Sequence, residues 1–455
     1  MLKSVSYGIV GGGLSGTLLC IYLMKYTKKP LELFLFEKQQ EQLHKGVAYS
    51  SELPYQLLNV PVKGMSLFED DALHFYAWLK IQNIDITPDD FVSRKLFGEY
   101  LTYYLEKTVL ETKIHQLHIV NDEVVDIEKQ GKKQFIFCKN RDKIEVSKVF
   151  LCTGNFPASH LRGFSHEVLT NSNYVSNPWN GENLSKIKPH DTLLVIGTGL
   201  TMVDQVMSIT KHTNFRGNII ALSRRGLLPL PHGDAPIFHL LPTIDFTKVS
   251  FFELYQFIKN EVKRAESQGL NYRCVMECIR PHLDSIWKNL SISDKKQFIN
   301  HFKPYWEVHR HRIPASSADY LKQLQEKGIL ELIAGRILSA DITNDKFEVK
   351  ITPKGKSETF TLKTDWIIYC TGSQLNYKSI NSPLYKSLIN KGYLTSAAFD
   401  FGLNTADIGF GIDSNGIISN DLILIGPTAK GNNFWEITAL KEIRQQIRTI
   451  VHQIT

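Results

Sequence analysis

Two stretches of this chain share one order of residues, and that repetition constrains the fold more than any other feature. The first is "SYGIVGGGLSGTLLCIYL" (Ser6–Leu23) and the second is "DTLLVIGTGLTMVDQV" (Asp191–Val206). Each reads as a buried strand, a glycine turn and the start of a helix. In the first, Gly11, Gly12, Gly13, Leu14, Ser15 and Gly16 satisfy G-x-G-x-x-G. The spacing suits a phosphate-binding turn. Gly11 permits the tight turn, Gly13 lets backbone approach a pyrophosphate, and Gly16 lets helix pack on strand. The helix start then offers free N–H groups and the positive end of its dipole. A second strand, "LELFLFE", ends in Glu37, where a carboxylate is placed to bind a ribose 2′-OH. A dinucleotide site is expected here.

The second turn is a partial match. Gly197, Thr198, Gly199, Leu200 and Thr201 form it, and Met202 stands where the third glycine would be. The later strand "NIIALS" ends in Ser223, Arg224, Arg225 and Gly226 rather than in a carboxylate. A guanidinium fork suits a 2′-phosphate. The first unit is therefore expected to take a cofactor with a free ribose, and the second to take NADPH through Gly197, Gly199, Thr201, Arg224 and Arg225. Two dinucleotide sites in one chain imply two cofactors that exchange electrons. FAD in the first and NADPH in the second is the economical reading. The alternative for the arginines is that they are solvated loop charges.

A second repetition supports this. "KVFLCTGNFP" (Lys148–Pro157) and "DWIIYCTGSQ" (Asp365–Gln374) are both strands ending in C-T-G, which marks Thr153, Gly154, Thr371 and Gly372 as cofactor-side candidates. Each follows an alternating stretch, "VVDIEKQGKKQFIFCK" and "FEVKITPKGKSETFTL", that reads as a β-meander. The predicted fold is α/β: two interleaved Rossmann-type dinucleotide-binding domains, each interrupted by antiparallel strands before the chain returns to its parallel sheet. An FAD domain is expected over 1–165 plus 375–455. An NADPH domain is expected over 166–374, with a helical insert at about 250–330.

Composition narrows the function classes. The net charge of +7 is spread out, and nothing in it points to nucleic acid. The six cysteines, at 20, 138, 152, 274, 278 and 370, include no C-x-x-C pair, so neither a redox disulfide of that spacing nor a zinc ribbon is indicated. Cys152 and Cys370 read as small core residues, and the i, i+4 pair Cys274 and Cys278 as helix packing. A reducing cytoplasm is the expected home. The apolar run Leu14–Met24 is too short to span a bilayer. No membrane association is expected, and the partner implied is a small-molecule substrate.

With these residues in view, the chain resembles the two-dinucleotide-binding-domain flavoproteins. That superfamily includes glutathione-reductase-like enzymes, flavin-containing monooxygenases and N-hydroxylating monooxygenases. Within it the chain is most similar to the bacterial FAD–NAD(P)-binding proteins. The stretches that carry this include "GGGLSG", "KGVAYS" (Lys45–Ser50), "LLNVPVKGMS" (Leu57–Ser66), "SRKLFGEYL" (Ser93–Leu101), "NPWN" (Asn177–Asn180), "GTGLTMVD", "SRRGLLP", "PYWEVHRHRIP" (Pro304–Pro314) and "FWEITALKEIRQQ" (Phe434–Gln446). The resemblance implies FAD bound by Gly11, Gly13, Ser15, Gly16 and Glu37. It also implies flavin-side contacts near Asn59, Met65 and Arg94, and a closing segment containing Trp435 and Thr438 whose helix, around Thr438–Ile447, aims its N-terminus at the flavin. Disulfide reductases of this superfamily usually carry Asp after the glycine of the last strand. Here Pro427 occupies that place, which with the missing C-x-x-C argues against such a reductase.

From Phe251 to about Lys327 the pattern turns helical and polar. In "SFFELYQFIKNEVKRAE" the residues Phe252, Leu254, Tyr255, Phe257 and Ile258 stand near helical spacing, and Ser291 and Ser293 are cap-type residues before another helix. The segment is expected to be a lid or substrate wall. In "YWEVHRHRIP", His309 and His311 stand i, i+2 on different helix faces, so no metal site is expected. Trp306 and Arg310 are spaced to stack. The segment is either interdomain packing or a cationic, aromatic wall for an anionic or planar substrate. No Ser-His-Asp pattern, H-E-x-x-H or P-loop lysine appears, and no catalytic side chain is assigned, as when a cofactor does the chemistry. The expected activity is that of an FAD-dependent, NADPH-using oxidoreductase. A monooxygenase acting on a small polar metabolite is favoured, by amine N-hydroxylation or by purine- or urate-type ring hydroxylation. The rivals are a dehydrogenase without oxygen insertion and a non-catalytic FAD-binding partner protein.

Overall fold

The strand Val5–Val10 and the helix Leu14–Tyr26 form the centre of the first unit. Every residue of that helix from Ser15 to Met24 is buried, as expected of a helix that is apolar all round. In the computed structural model, which describes residues 4–179, 185–431 and 437–454, it is sandwiched under the helices Arg94–Glu111 and Leu440–Ile454. Leu18, Leu19, Phe97, Tyr100, Ile443 and Ile447 meet in one core.

The first sheet has six strands in the order Phe410–Ile412, Ile418–Leu424, Lys148–Leu151, Val5–Val10, Leu31–Glu37 and Gln116–Asn121. All neighbours are parallel except the outermost pair, 410–412 with 418–424. The chain therefore leaves this sheet after 151 and returns to it at 410. The second sheet has seven strands in the order Phe360–Thr364, Lys346–Pro353, Leu330–Thr343, Asn218–Ser223, Thr192–Ile196, Trp366–Tyr369 and Tyr174–Val175.

The two meanders are used differently. Val124–Gln130, Lys133–Cys138 and Ile144–Val146 make a separate three-stranded antiparallel sheet. It packs on the first parallel sheet at Gly8, where any side chain would collide with Ile136. The second meander is continuous with its parallel sheet. Leu330–Thr343 pairs in parallel with Asn218–Ser223 over residues 330–334, then antiparallel with Lys346–Pro353 over 335–343. Its length of 14 residues lets one strand do both.

The insert is helical from Phe251–Ser267 to Ala315–Glu326. Its first helix starts with a capping box, Ser250 and Glu253 each satisfying the other's backbone N–H. The buried stripe is Phe251, Leu254 and Phe257, whereas Phe252 and Tyr255 from the predicted set face outward. Ser291 caps the helix Ile292–Gln297, and Ser293 lies inside it. A π-helical stretch, Phe298–Phe302, then leads into Lys303–Arg310. The insert has its own core, which Phe401 joins from the returning chain. Among the described residues no helix is long and apolar enough to cross a membrane.

Candidate active site

The first glycine turn is closed on four sides. Gly11 has φ +105°, and a side chain on it would run into the carbonyl of Cys152. A β-carbon on Gly16 would strike the Gly11 carbonyl, so glycine sets the helix-to-strand distance there. Glu37 reaches the turn, its carboxylate accepting the Gly12 N–H at 2.9 Å and the Gln39 N–H at 3.1 Å. The loop His44–Gly46 lies across it: the His44 N–H donates to the Gly12 carbonyl at 2.7 Å, and Gly46 Cα is 3.0 Å from where a Gly13 β-carbon would sit. Buried Ser15 faces the end of the last strand, where a β-carbon on Gly426 would be 2.7 Å from its Oγ. Thr153 shares a 2.7 Å hydrogen bond with the Tyr385 hydroxyl, and Gly154 has φ +71° with open space around it.

The second turn repeats this geometry in a more open form. Gly197 has φ +108°, and a side chain on it would run into the carbonyl of Cys370. The Gly197 N–H donates to Leu222 at 2.8 Å, as Gly11 does to Phe36 at 2.9 Å. The twin C-T-G endings thus lie against the twin glycine turns. Gly199, by contrast, is exposed with no atom within 4 Å of an added β-carbon. Met202, in the third glycine's place, is fully buried. Thr201 is half-buried, and Thr371 and Gly372 are exposed. Arg224 is exposed, whereas Arg225 donates to the His301 carbonyl at 3.0 Å and lies 5.4 Å over the Tyr305 ring.

Both turns fit a pyrophosphate on one common observation. Five helices are capped by side chains, at Ser93, Ser165, Ser250, Asn271 and Ser291, and others, such as His74–Ile81 and Ala315–Glu326, are not. The helices Leu14–Tyr26 and Leu200–His212 begin after Gly13 and Gly199 with no side-chain cap. Their first N–H groups are donors that a phosphate can satisfy.

Of the three residues expected on the flavin side, Arg94 is committed to an ion pair. It begins the helix Arg94–Glu111 and its Nη2 pairs with Asp204 Oδ2 at 3.0 Å, both side chains being buried. Asp204 sits one turn into the helix of the second glycine turn. Burial raises its carboxyl pKa, and Arg94 opposes that shift. Gln56 adds a 3.1 Å hydrogen bond to Ser208 on the same helix. Arg94 therefore fastens the two nucleotide units together. Asn59 is half-buried, its carbonyl hydrogen-bonded to His232 Nε2 at 2.9 Å, and Met65 is buried in the first core.

The insert closes over the returning chain. Arg312 is buried and pairs with Glu277 at 2.5 Å, Arg280 pairs with Glu442 at 2.9 Å, and Arg310 lies 3.7 Å from Glu442. Trp306 packs against Phe298, and His309 Nδ1 meets the Tyr305 carbonyl at 2.7 Å. His311 is pushed down to about 3, first by burial and then by Arg310 and other cations. Beside this seam lies a cavity of about 500 Å³, lined by Trp287, Lys295, Phe399, Phe401, Asp407 and Gly431 among others. Its rim is strained: Phe399, Asp400 and Ile408 all have φ between +54° and +61°. Thr438 precedes the last helix, which starts at Leu440. Trp435 lies outside the described residues, as does Asn180.

Two buried charged residues carry no mark in the motifs: Asp204, paired with Arg94, and Lys430, whose Nζ donates to Asn155 Oδ1 at 3.0 Å. Asp204 could have been suspected as a lone carboxylate in an otherwise apolar helix start. Lys430, in "GPTAKGN", has no periodic or motif signal.

Residues 8–156 match the family model described as FAD-NAD(P)-binding. Nitrosuccinic acid synthase of Aspergillus oryzae is 23% identical over 211 residues, 42% of this chain, and the match spans 31% of that protein's length. Among solved structures, an ornithine N-hydroxylase from a Kutzneria species, solved with reduced FAD, NADP+ and L-ornithine, has a TM-score of 0.67 at 13% identity, with 99% of each chain covered. An FAD-bound cadaverine monooxygenase from Erwinia amylovora has a TM-score of 0.66 at 12% identity, covering 100% of this chain and 95% of its own. The chain thus has the two-dinucleotide-domain flavoprotein fold, and the resemblance read from its motifs holds for that fold and for the FAD-NAD(P)-binding segment.

Proposed function

We propose that this chain is an FAD-dependent, NADPH-using monooxygenase that oxidises the nitrogen of a small polar amine. The observation that carries the reading is the pair of uncapped glycine turns, one in each parallel sheet, fastened together by Arg94 and Asp204. FAD takes the first, through Gly11, Gly13, Ser15, Gly16 and Glu37, with Thr153 and Gly154 at the neighbouring strand end. NADPH takes the second, through Gly197, Gly199 and Thr201, with Arg224 on the 2′-phosphate and Thr371 and Gly372 at the matching strand end. The FAD unit is 1–165 plus 375–455, and the NADPH unit is 166–374. FAD held in the first turn would supply the redox chemistry, hydride acceptance from NADPH and activation of oxygen. The chain's own residues orient the two cofactors, exclude water and hold the substrate.

The cysteines favour this over disulfide reduction. All six are free, and burial raises the thiol pKa of Cys20, Cys152 and Cys370. The amine reading is favoured over purine or urate ring hydroxylation because the structural neighbours include an ornithine N-hydroxylase and a cadaverine monooxygenase, with TM-scores of 0.67 and 0.66. The test is simultaneous measurement of NADPH and oxygen consumption with ornithine, lysine, cadaverine, aspartate and urate, with mass spectrometry of the products. An N-oxidised product formed in step with oxygen uptake is expected. Hydroxylated urate, or oxygen converted only to hydrogen peroxide with every amine, would overturn the reading.

A further inference from the structure

Lys430 is 6% exposed, although lysine is almost never fully buried without a partner. Its Nζ donates at 3.0 Å to Asn155 Oδ1, a neutral acceptor. Asn155 directly follows the C-T-G ending that lies against the first glycine turn. Gly431, the next residue in the chain, lines the 500 Å³ cavity. Lys430 is thus one residue along the chain from that cavity, with its amine on the loop that follows the first C-T-G ending.

We propose that Lys430 is the proton acceptor for the incoming amine. The ammonium nitrogen of the substrate gives one proton to the Lys430 amine, R–NH3+ + Lys–NH2 → R–NH2 + Lys–NH3+, and so regains the lone pair that N-oxidation requires. This rests on the amine-monooxygenase reading and deepens it.

The surroundings suit the task. Among the described residues, the groups facing Lys430 are Lys303 and Glu307 from the helix Lys303–Arg310, His311 at the end of that helix, and Asn155. Lys303 and Glu307 are paired with each other at 2.5 Å, and burial keeps His311 neutral. Burial, with Lys303 adding to it and Glu307 opposing, lowers the Lys430 ammonium to about 7. It can thus be a free amine at neutral pH and still hold a proton taken from an alkylammonium, because the product ammonium replaces a charge already brought into the same site.

The experiment is a binding titration on the oxidised, FAD-loaded, NADP+-bound protein, which does not turn over. The affinity of each amine that binds, ornithine, cadaverine or aspartate, is measured by calorimetry from pH 5.5 to 8.5. With Lys430 intact, affinity should rise about tenfold per pH unit below about 7 and level off above it, because protonated Lys430 repels the ammonium. Lys430→Gln should lose that inflection, and Lys430→Arg, always charged, should bind weakly at every pH. Flavin content and the unfolding midpoint of each variant verify that it is folded. An inflection near 7 that persists in Lys430→Gln would overturn the role of Lys430 and leave the amine reading intact. Absence of binding by any amine at any pH would overturn both.

Discussion

Replacing Arg94 by alanine tests the fastening between the two nucleotide units. The Arg94 and Asp204 side chains are 10% and 8% exposed and 3.0 Å apart, so water screens neither charge. Removing the guanidinium leaves a buried carboxylate without its counter-ion, which costs about 3–5 kcal/mol in such settings. The loss should depend on pH. The Asp204 pKa is already raised above the ordinary 3.8 by burial, and Arg94 is what holds it down. In Arg94→Ala it rises further. A carboxyl whose folded pKa exceeds its unfolded one favours folding at low pH, and that contribution fades as pH climbs from about 3.8 through the raised value. The variant should therefore lose most stability at pH 8 and recover part of it toward pH 5. Urea unfolding with saturating FAD, followed by far-ultraviolet circular dichroism, measures both effects. The double variant Arg94→Leu with Asp204→Leu should regain much of the loss, since no buried charge remains. A loss below about 1 kcal/mol that is the same at pH 5 and pH 8 would refute the reasoning.

Gly199→Ala separates the two turns. It has ordinary φ and open space around an added methyl, so the fold and FAD retention should be unchanged while the Kd for NADPH rises at least several-fold, measured by flavin reduction in stopped flow. Arg224→Ala should lower the preference for NADPH over NADH by roughly ten- to hundred-fold, the equivalent of one charge-assisted bond of about 1.5–3 kcal/mol. Arg225→Ala, whose guanidinium is committed to the His301 carbonyl and the Tyr305 ring, should instead leave that ratio nearly unchanged, and an equal effect of both arginines would contradict the division.

What the sequence revealed was what depends on local backbone. Gly11 and Gly197 are legible because their φ values near +105° exclude other residues, and the two C-T-G endings because a repeated strand end has a repeated packing partner. The meanders were legible as alternation, but their different docking was not. The pairing of 335–343 with 346–353 is local, but whether that hairpin is joined to a parallel sheet depends on the contact of 330–334 with 219–223, more than a hundred residues away. The pairing of Arg94 with Asp204 was not legible for the same reason, since no local pattern announces a contact between two helices that follow different glycine turns and strands. Within the insert, helical spacing identified the helix but gave the wrong rotation to Phe252 and Tyr255, since a stripe two residues wide fits the pattern on either side.

The asymmetry of the two turns bears on the direction of electron flow. The first is wrapped by Glu37, by the His44–Gly46 loop, by the Cys152 carbonyl and by Gly426. A nucleotide threaded through such a turn leaves only when several of those contacts open together, so its residence is long. The second has exposed Gly199, exposed Arg224 and exposed Thr371 and Gly372 around it. A nucleotide there can exchange without rearranging the core, which a cofactor consumed once per turnover must do. On the proposed assignment the resident flavin lies in the closed turn and the exchanging NADPH in the open one. The exchanging nucleotide would then be the hydride donor and the resident one the acceptor, and the role of the buried Arg94–Asp204 pair would be to hold the two turns in register.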